Sequence, residues 1–160
     1  AAGASVIALT LDHAAAAPAP ARRVQIAQDL VQRITAAGIS PERIFVDPVV
    51  APLSTSAEAP RLACETMRLM RRELPDCHIV CGLSNVSHGL PARPLLNRTF
   101  LAQAIMSGLD AAILDPLDRD LMRTMRAAEA LAGRDEWCLK YIGAHRDGLL
   151  DNPHVRHQRG

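Results

Sequence analysis

The sequence predicts a parallel α/β protein, and three observations lead there. Four short apolar runs, Ser5 to Leu11, Arg43 to Val46, His78 to Leu83 and Ala111 to Leu114, are rich in residues that favour extended chain. Longer segments with helical periodicity separate them. With Ile7, Phe45, Val80 and Ala112 as midpoints, the runs recur at spacings of 38, 35 and 32 residues, the length of one strand, one helix and their connections. Strand and helix alternating at that period build a parallel sheet covered by helices.

The four runs hold few polar residues, so each reads as a strand buried on both faces. The segment Ala14 to Ala21, AAAAPAPA, is interrupted by proline and reads as a loop. A first helix is predicted over Arg22 to Ala37, with Ala27, Leu30, Val31 and Ile34 on one side and Gly38 as its stop. A second covers about Ala57 to Leu74, with Leu62, Ala63, Met67, Met70 and Leu74 on one face and Thr55 and Glu58 at capping-box spacing before it. Third and fourth helices are predicted from about Pro94 to Ser107 and from about Arg119 to Ala132, stopped by Gly108 and Gly133. Asp118 is placed to cap the fourth. Residues 143–160, rich in Arg, His, Gly and Asn, read as a solvated tail after a domain spanning 1–142.

Two parallel architectures compete for this pattern. A closed eight-stranded barrel needs roughly 250 residues or more, and an open doubly wound sheet fits 160 residues better. The chain opens at Ala1 without Met and enters a strand almost at once, which reads as a missing beginning.

An apolar content of 49% in 160 residues supports one core, built from aliphatic side chains because the aromatics are only Phe45, Phe100, Trp137 and Tyr141. That scarcity, with 18 Lys and Arg dispersed among 17 Asp and Glu for a net charge of +1, argues against a nucleic-acid surface. No apolar run approaches the roughly 20 residues needed to cross a bilayer, so no membrane partner and a cytoplasmic location are the expectation. Cys64, Cys77, Cys81 and Cys138 show no paired zinc or redox spacing and read as reduced, mostly buried thiols.

Each predicted strand ends in a carboxylate or amide: Asp12, Asp47, Asn85 and Asp115. In parallel α/β folds the C-terminal strand ends lie on one face, where the active site is built, so these side chains should converge. The sharpest local feature runs from Gly82 through Leu83, Ser84, Asn85, Val86, Ser87 and His88 to Gly89, followed by Arg93, Asn97 and Arg98. A glycine at a strand end lets a ligand approach the backbone. Ser84, Asn85 and Ser87 are neutral donors and acceptors suited to an uncharged heteroaromatic ligand, and no Gly-rich loop with Lys marks a phosphate site.

Blander readings stand beside each of these. An Asp-Pro pair such as Asp47-Pro48 or Asp115-Pro116 is a plain turn signal in roughly half of cases. Its strand-end position favours function for Asp47, while Asp12 and Asp115 stay even. Asn85 could close an Asx-turn and Arg93 could be a surface cation; Asn97 and Arg98 fit a bracing role. His13 and His88 lack partners at ligand spacing and read as loop histidines, so no metal site is expected. Cys77 and Cys81 share a strand face and read as buried thiols.

The segment CGLSNVSHGLPARPLLNRTFLAQAIMSGLDAAILDPLD closely resembles part of the methyltetrahydrofolate:corrinoid/iron-sulfur protein methyltransferases, and FVDPVVAPLST and the ALTLD opening look like the two preceding strands of that family. The SNVS element is also similar to one in the folate domain of cobalamin-dependent methionine synthase. The resemblance covers about residues 4 to 142 and is most specific from GLSNVS through NRTFL. It implies a pterin-binding TIM barrel, a (β/α) fold of eight units, of which this chain would supply strands five to eight. By resemblance, Asp47 hydrogen-bonds the pterin ring, Asn85 contacts N5, Gly82 and Ser84 line the pocket, and Arg93 lies near the ligand. His88, where relatives often have Gln, is placed with the same substrate-binding set.

The implied reaction moves the N5 methyl group of methyltetrahydrofolate to Co(I) of a cobalamin or other corrinoid carried by a partner protein. An Asn85 N–H aimed at N5 would bind more strongly in the transition state than in the ground state, which is what catalysis requires. Asp47 would bind and orient. Missing strands one to four would leave two open sheet edges, so self-association or completion by an N-terminal half is expected. A dihydropteroate synthase-like enzyme is the nearest alternative, but its Lys motif is absent from the CGLSNVS strand. A non-catalytic pterin-binding fragment is the other.

Overall fold

Four parallel strands pair in the order in which the chain makes them: β1 (Val6–Leu9), β2 (Ile44–Asp47), β3 (His78–Gly82) and β4 (Ala111–Ile113). This computed structural model describes residues 3–11 and 19–151. Helices α1 (Pro20–Ala36), α2 (Ala59–Glu73) and α3 (Arg93–Met106) connect the strands, and α4 (Arg119–Leu131) and α5 (Leu139–Arg146) follow them. A doubly wound sheet reverses its strand order at a switch point, whereas a (β/α) barrel adds strands in sequence. The order therefore settles the competition left open by length. The sheet is a run of four barrel units.

The register of the parallel pairs separates two faces. Ala8, Ile44, Val46, Ile79 and Cys81 face the helices and are buried with Val24 and Ala27 of α1, Ala63, Met67 and Met70 of α2, and Leu101 and Ala104 of α3. On the other face, Ile7 and Leu9 are each 48% exposed and Ile113 is 60% exposed. The expectation of strands buried on both faces therefore holds for β3, where Val80 on this face is only 4% exposed, and is corrected for β1 and β4. In a closed barrel this inner face is filled by side chains from opposite strands, and four strands do not reach round to supply them.

At the N-terminal strand ends, Asp110 joins β3 to β4. Its Oδ1 accepts from the Ile79 N–H at 2.7 Å, and its Oδ2 accepts from Arg71 at 2.8 Å and lies 3.1 Å from His78 Nδ1. His78 also stacks on Phe45, with ring centroids 4.6 Å apart. This end is held by side chains, which leaves the opposite end to carry function.

Local chemistry set most helix boundaries. Asp118 caps α4 as predicted, its Oδ1 accepting from the Leu121 N–H at 3.0 Å. Gly38, Gly108 and Gly133 follow their helices with positive φ. At Gly108, with φ +110°, an added Cβ would also meet Arg71 Cβ at 3.1 Å. The Thr55–Glu58 capping box does not form. Thr55 Oγ1 donates to the Pro52 carbonyl at 2.8 Å, Glu58 pairs with Arg61 at 2.6 Å, and α2 starts at Ala59. Helix α1 starts at Pro20, inside the segment expected to be a loop, because a proline at the first position lacks only an N–H the helix would not use. Asp12, His13 and residues 14–18 of that segment lie outside the described residues.

The stretch read as a solvated tail from Gly143 instead continues α5 to Arg146, with Ala144 buried. Asp135 starts that helix, accepting from the Lys140 and Tyr141 N–H groups at 2.9 and 2.8 Å. The remainder of the tail, residues 152–160, lies outside the described residues.

Candidate functional site

The C-terminal end of β2 presents Asp47 on the inner face, in register with Leu9 of β1. Thr10, itself buried, donates from both its backbone N–H (3.1 Å) and its hydroxyl (2.8 Å) to the Asp47 carbonyl. The carboxylate turns back on its own chain, Oδ1 accepting from the Val49 N–H at 2.7 Å. Val49 holds φ +58°, unusual for a β-branched residue. Burial pushes the Asp47 carboxyl above the usual range, and the Val49 hydrogen bond pulls part of the way back. From α1, Arg23 reaches under this turn to the Pro48 and Val49 carbonyls.

At the end of β3 the chain enters a 3-10 turn, Leu83–Ser87, which buries Leu83, Val86 and Ser87 and exposes Ser84 and Asn85. An added Cβ on Gly82 would stand 3.2 Å from Asn85 Nδ2. The close approach that glycine permits is therefore made by the Asn85 amide, folded back over the strand end. Two bonds tie this turn to the Asp47 loop: Leu53 N–H donates to the Val86 carbonyl at 2.9 Å, and Ser54 Oγ to the His88 carbonyl at 2.7 Å. His88 contributes its backbone there and is exposed.

Arg93 braces the same turn from the start of α3, donating to Ser87 Oγ at 3.0 Å and to the Ser84 carbonyl at 2.9 Å. Arg98 joins α3 to α4 rather than bracing the neighbouring loop, pairing with Asp120 and donating to the Pro94 carbonyl at 3.1 Å. Asn97 differs, because its Oδ1 is buried without a hydrogen-bond partner. It lines a cleft of about 450 Å³ together with Ser84, Arg93, Ile113, Asp115 and Asp118. Asp115 closes an Asx-turn, Oδ1 accepting from the Leu117 N–H at 2.9 Å. Sequence reasoning did not single out Thr10, Arg23 or the Asn97 cleft. A threonine inside a strand run and an arginine on the apolar side of a helix were the available signals.

Asp47, Asn85 and Asp115 thus end adjacent strands on one side of the sheet. Asp47 offers an acceptor and Asn85 an amide that can donate or accept, a pairing suited to a ring carrying both N–H groups and nitrogen lone pairs. Cys81 faces the helices instead, where burial, chiefly, with the nearby Asp47 charge, pushes its thiol up to about 12. Cys77, also buried, is shifted the same way.

The profile of a family described as "Pterin binding enzyme" matches residues 3–115. A methylcorrinoid:tetrahydrofolate methyltransferase of Eubacterium limosum is 36% identical over 145 residues, which is 91% of this chain and 54% of that protein. Methionine synthases of Mycobacterium tuberculosis and Mycobacterium leprae are 35% and 33% identical over 119 residues each, 70% of this chain and 10% of theirs. The chain spans about half the length of the first relative and about a tenth of the other two.

Proposed function

The chain belongs to the pterin-binding enzymes, and from that premise we propose that its strand-end site binds a tetrahydrofolate and serves methyl transfer between folate N5 and the cobalt of a corrinoid carried by a partner. The observation that carries the proposal is the Asn85 amide folded over Gly82, at the end of the strand next to Asp47. That pair supplies a donor for N5 and an acceptor for the ring N–H groups. Ser84 and Gly82 line the ring, Arg93 holds the turn that carries Asn85, and His88 is assigned to the same substrate-binding set.

In the forward direction the bond from N5 to the methyl carbon breaks with its electron pair left on N5, while the Co(I) substrate supplies the pair that bonds the carbon. Nitrogen is a poor leaving group unless it gains positive character, and a donor at N5 stabilises the charge that develops as the bond breaks. A proton reaching N5 through water completes the balance. The name of the Eubacterium relative puts the methyl group on the corrinoid at the outset; the same donor serves the reverse reaction, because both directions share one transition state. Exposed Ile7, Leu9 and Ile113 on the inner face, with β1 and β4 at the edges of the sheet among the described residues, fit further strands from the same polypeptide or a second chain.

The test is a methyl-transfer assay of the full-length protein with methyltetrahydrofolate and a reduced corrinoid protein, followed by loss of Co(I) absorbance. Turnover supports the proposal. Pterin binding without turnover would reduce the site to a binding module, and no pterin binding at millimolar concentration would sink the reading. A finer check is Gly82→Ala, whose methyl group displaces the Asn85 amide by a few tenths of an ångström. We expect kcat to fall about tenfold with KM little changed, since small displacements of a catalytic group are costly; an unchanged kcat would show that the Asn85 position is not critical.

A further inference from the structure

We propose that Arg23, a residue of α1 outside the strand-end cluster, is a positioning residue for Asp47, acting through the Pro48–Val49 turn. The inference rests on the reading of Asp47 as a pterin acceptor for its binding consequence, but not for its structural part. Arg23 is only 5% exposed, and its Nη1 donates to the Pro48 carbonyl at 2.7 Å and the Val49 carbonyl at 3.0 Å. Placing a guanidinium there is costly, and burial lowers its proton affinity. The two hydrogen bonds it donates to this turn give the guanidinium a role beyond packing.

That role is legible in the turn. Val49 at φ +58° is strained, and such a conformation persists only where its surroundings over-determine it. Arg23 is the constraint on the carbonyl side of the turn. On the amide side, the same conformation aims the Val49 N–H at Asp47 Oδ1, 2.7 Å away. With Oδ1 committed, the rotamer is fixed and Oδ2 remains the ligand's acceptor. If the turn relaxed toward the extended region, the Val49 N–H would swing off and the carboxylate would be free to rotate.

The experiment is a double-mutant cycle in the full-length protein, Arg23→Met with Asp47→Asn, read by calorimetric titration with methyltetrahydrofolate, and with Arg23→Lys as the conservative rescue. Because one nitrogen serves both carbonyls, an ammonium can replace it. Arg23→Met is expected to weaken binding about tenfold with Asp47 present and less than about twofold with Asp47→Asn, and Arg23→Lys to recover most of the loss. Equal weakening in both backgrounds, or no rescue by Lys, would overturn the proposal. A second measurement follows the Asp47 carboxyl by ¹³C NMR against pH. Loss of the Val49 hydrogen bond should move its titration upward in Arg23→Met, and an unmoved titration in the folded variant would overturn the proposal even if wild type binds no pterin, an outcome that would separately defeat the functional reading. If Arg23→Met does not fold, Arg23→Gln replaces it in every arm.

Discussion

Asn85→Ala in the full-length protein should lower the single-turnover methyl-transfer rate by on the order of 10²-fold while changing pterin affinity by less than about threefold. In the ground state N5 is a tertiary amine that accepts a weak hydrogen bond, so the donor adds little to binding. As the methyl group departs, the lone pair on N5 grows in basicity and the same N–H becomes worth several times more. The 3-10 turn holds the amide in advance through Arg93 and through the two bonds to the Asp47 loop, so little reorganisation is needed at the moment of reaction. Stopped-flow observation of Co(I) is the measurement. A rate within threefold of wild type would move the donor role elsewhere, and a proportional loss in affinity and rate would make Asn85 a binding residue only.

Asp47→Asn should weaken pterin binding by about ten- to a hundredfold, because a charged acceptor for ring N–H groups is replaced by a neutral one. The same substitution should stabilise the unliganded protein near neutral pH. The folded-state pKa of Asp47 is raised by burial above its unfolded value, so the folded state binds the proton more tightly than the unfolded state. Its contribution to stability is fully present below the unfolded pKa and is lost as pH rises through the folded pKa. Above that pH the wild type carries the desolvation cost of a carboxylate, which Asn avoids; at low pH the two should converge. Ligand binding runs the opposite way and should weaken as pH falls through the raised pKa. Chemical denaturation and calorimetry across pH 4 to about 8 would read both. A variant no more stable than wild type at neutral pH would mean that the Val49 hydrogen bond already offsets the burial.

The two effects oppose each other for a physical reason. A half-buried carboxylate is retained at a stability cost where a ligand supplies the N–H groups it lacks. Asn97 is a parallel case, since its buried Oδ1 has no donor and lines the cleft next to Ser84 and Arg93.

Reading the sequence located the strands and helices within a few residues, because β-branched runs and a 3.6-residue period are local properties. It located Asp47, Asn85 and Asp115 on one face, because a parallel sheet has only one C-terminal side. Where local signals competed, it erred: the Thr55–Glu58 spacing imitates a capping box, but Arg61 takes the glutamate and Pro52 takes the threonine hydroxyl. Helix α5 was missed because it depends on Asp135 capping N–H groups at Lys140 and Tyr141 rather than on apolar periodicity.

What the sequence by itself determined is the repeating strand-helix unit, the placement of polar groups at strand ends, and the glycine before Asn85. Length and local pattern left barrel and open sheet undecided and the resemblance implied the barrel, but only the tertiary structure gave the strand order that distinguishes them, a long-range property that no local pattern encodes. Tertiary structure alone also showed Ile7, Leu9 and Ile113 exposed on one sheet face, the Asn85 amide occupying the space beside Gly82, and Arg23 beneath the Asp47 turn, because each depends on groups brought together from different parts of the chain.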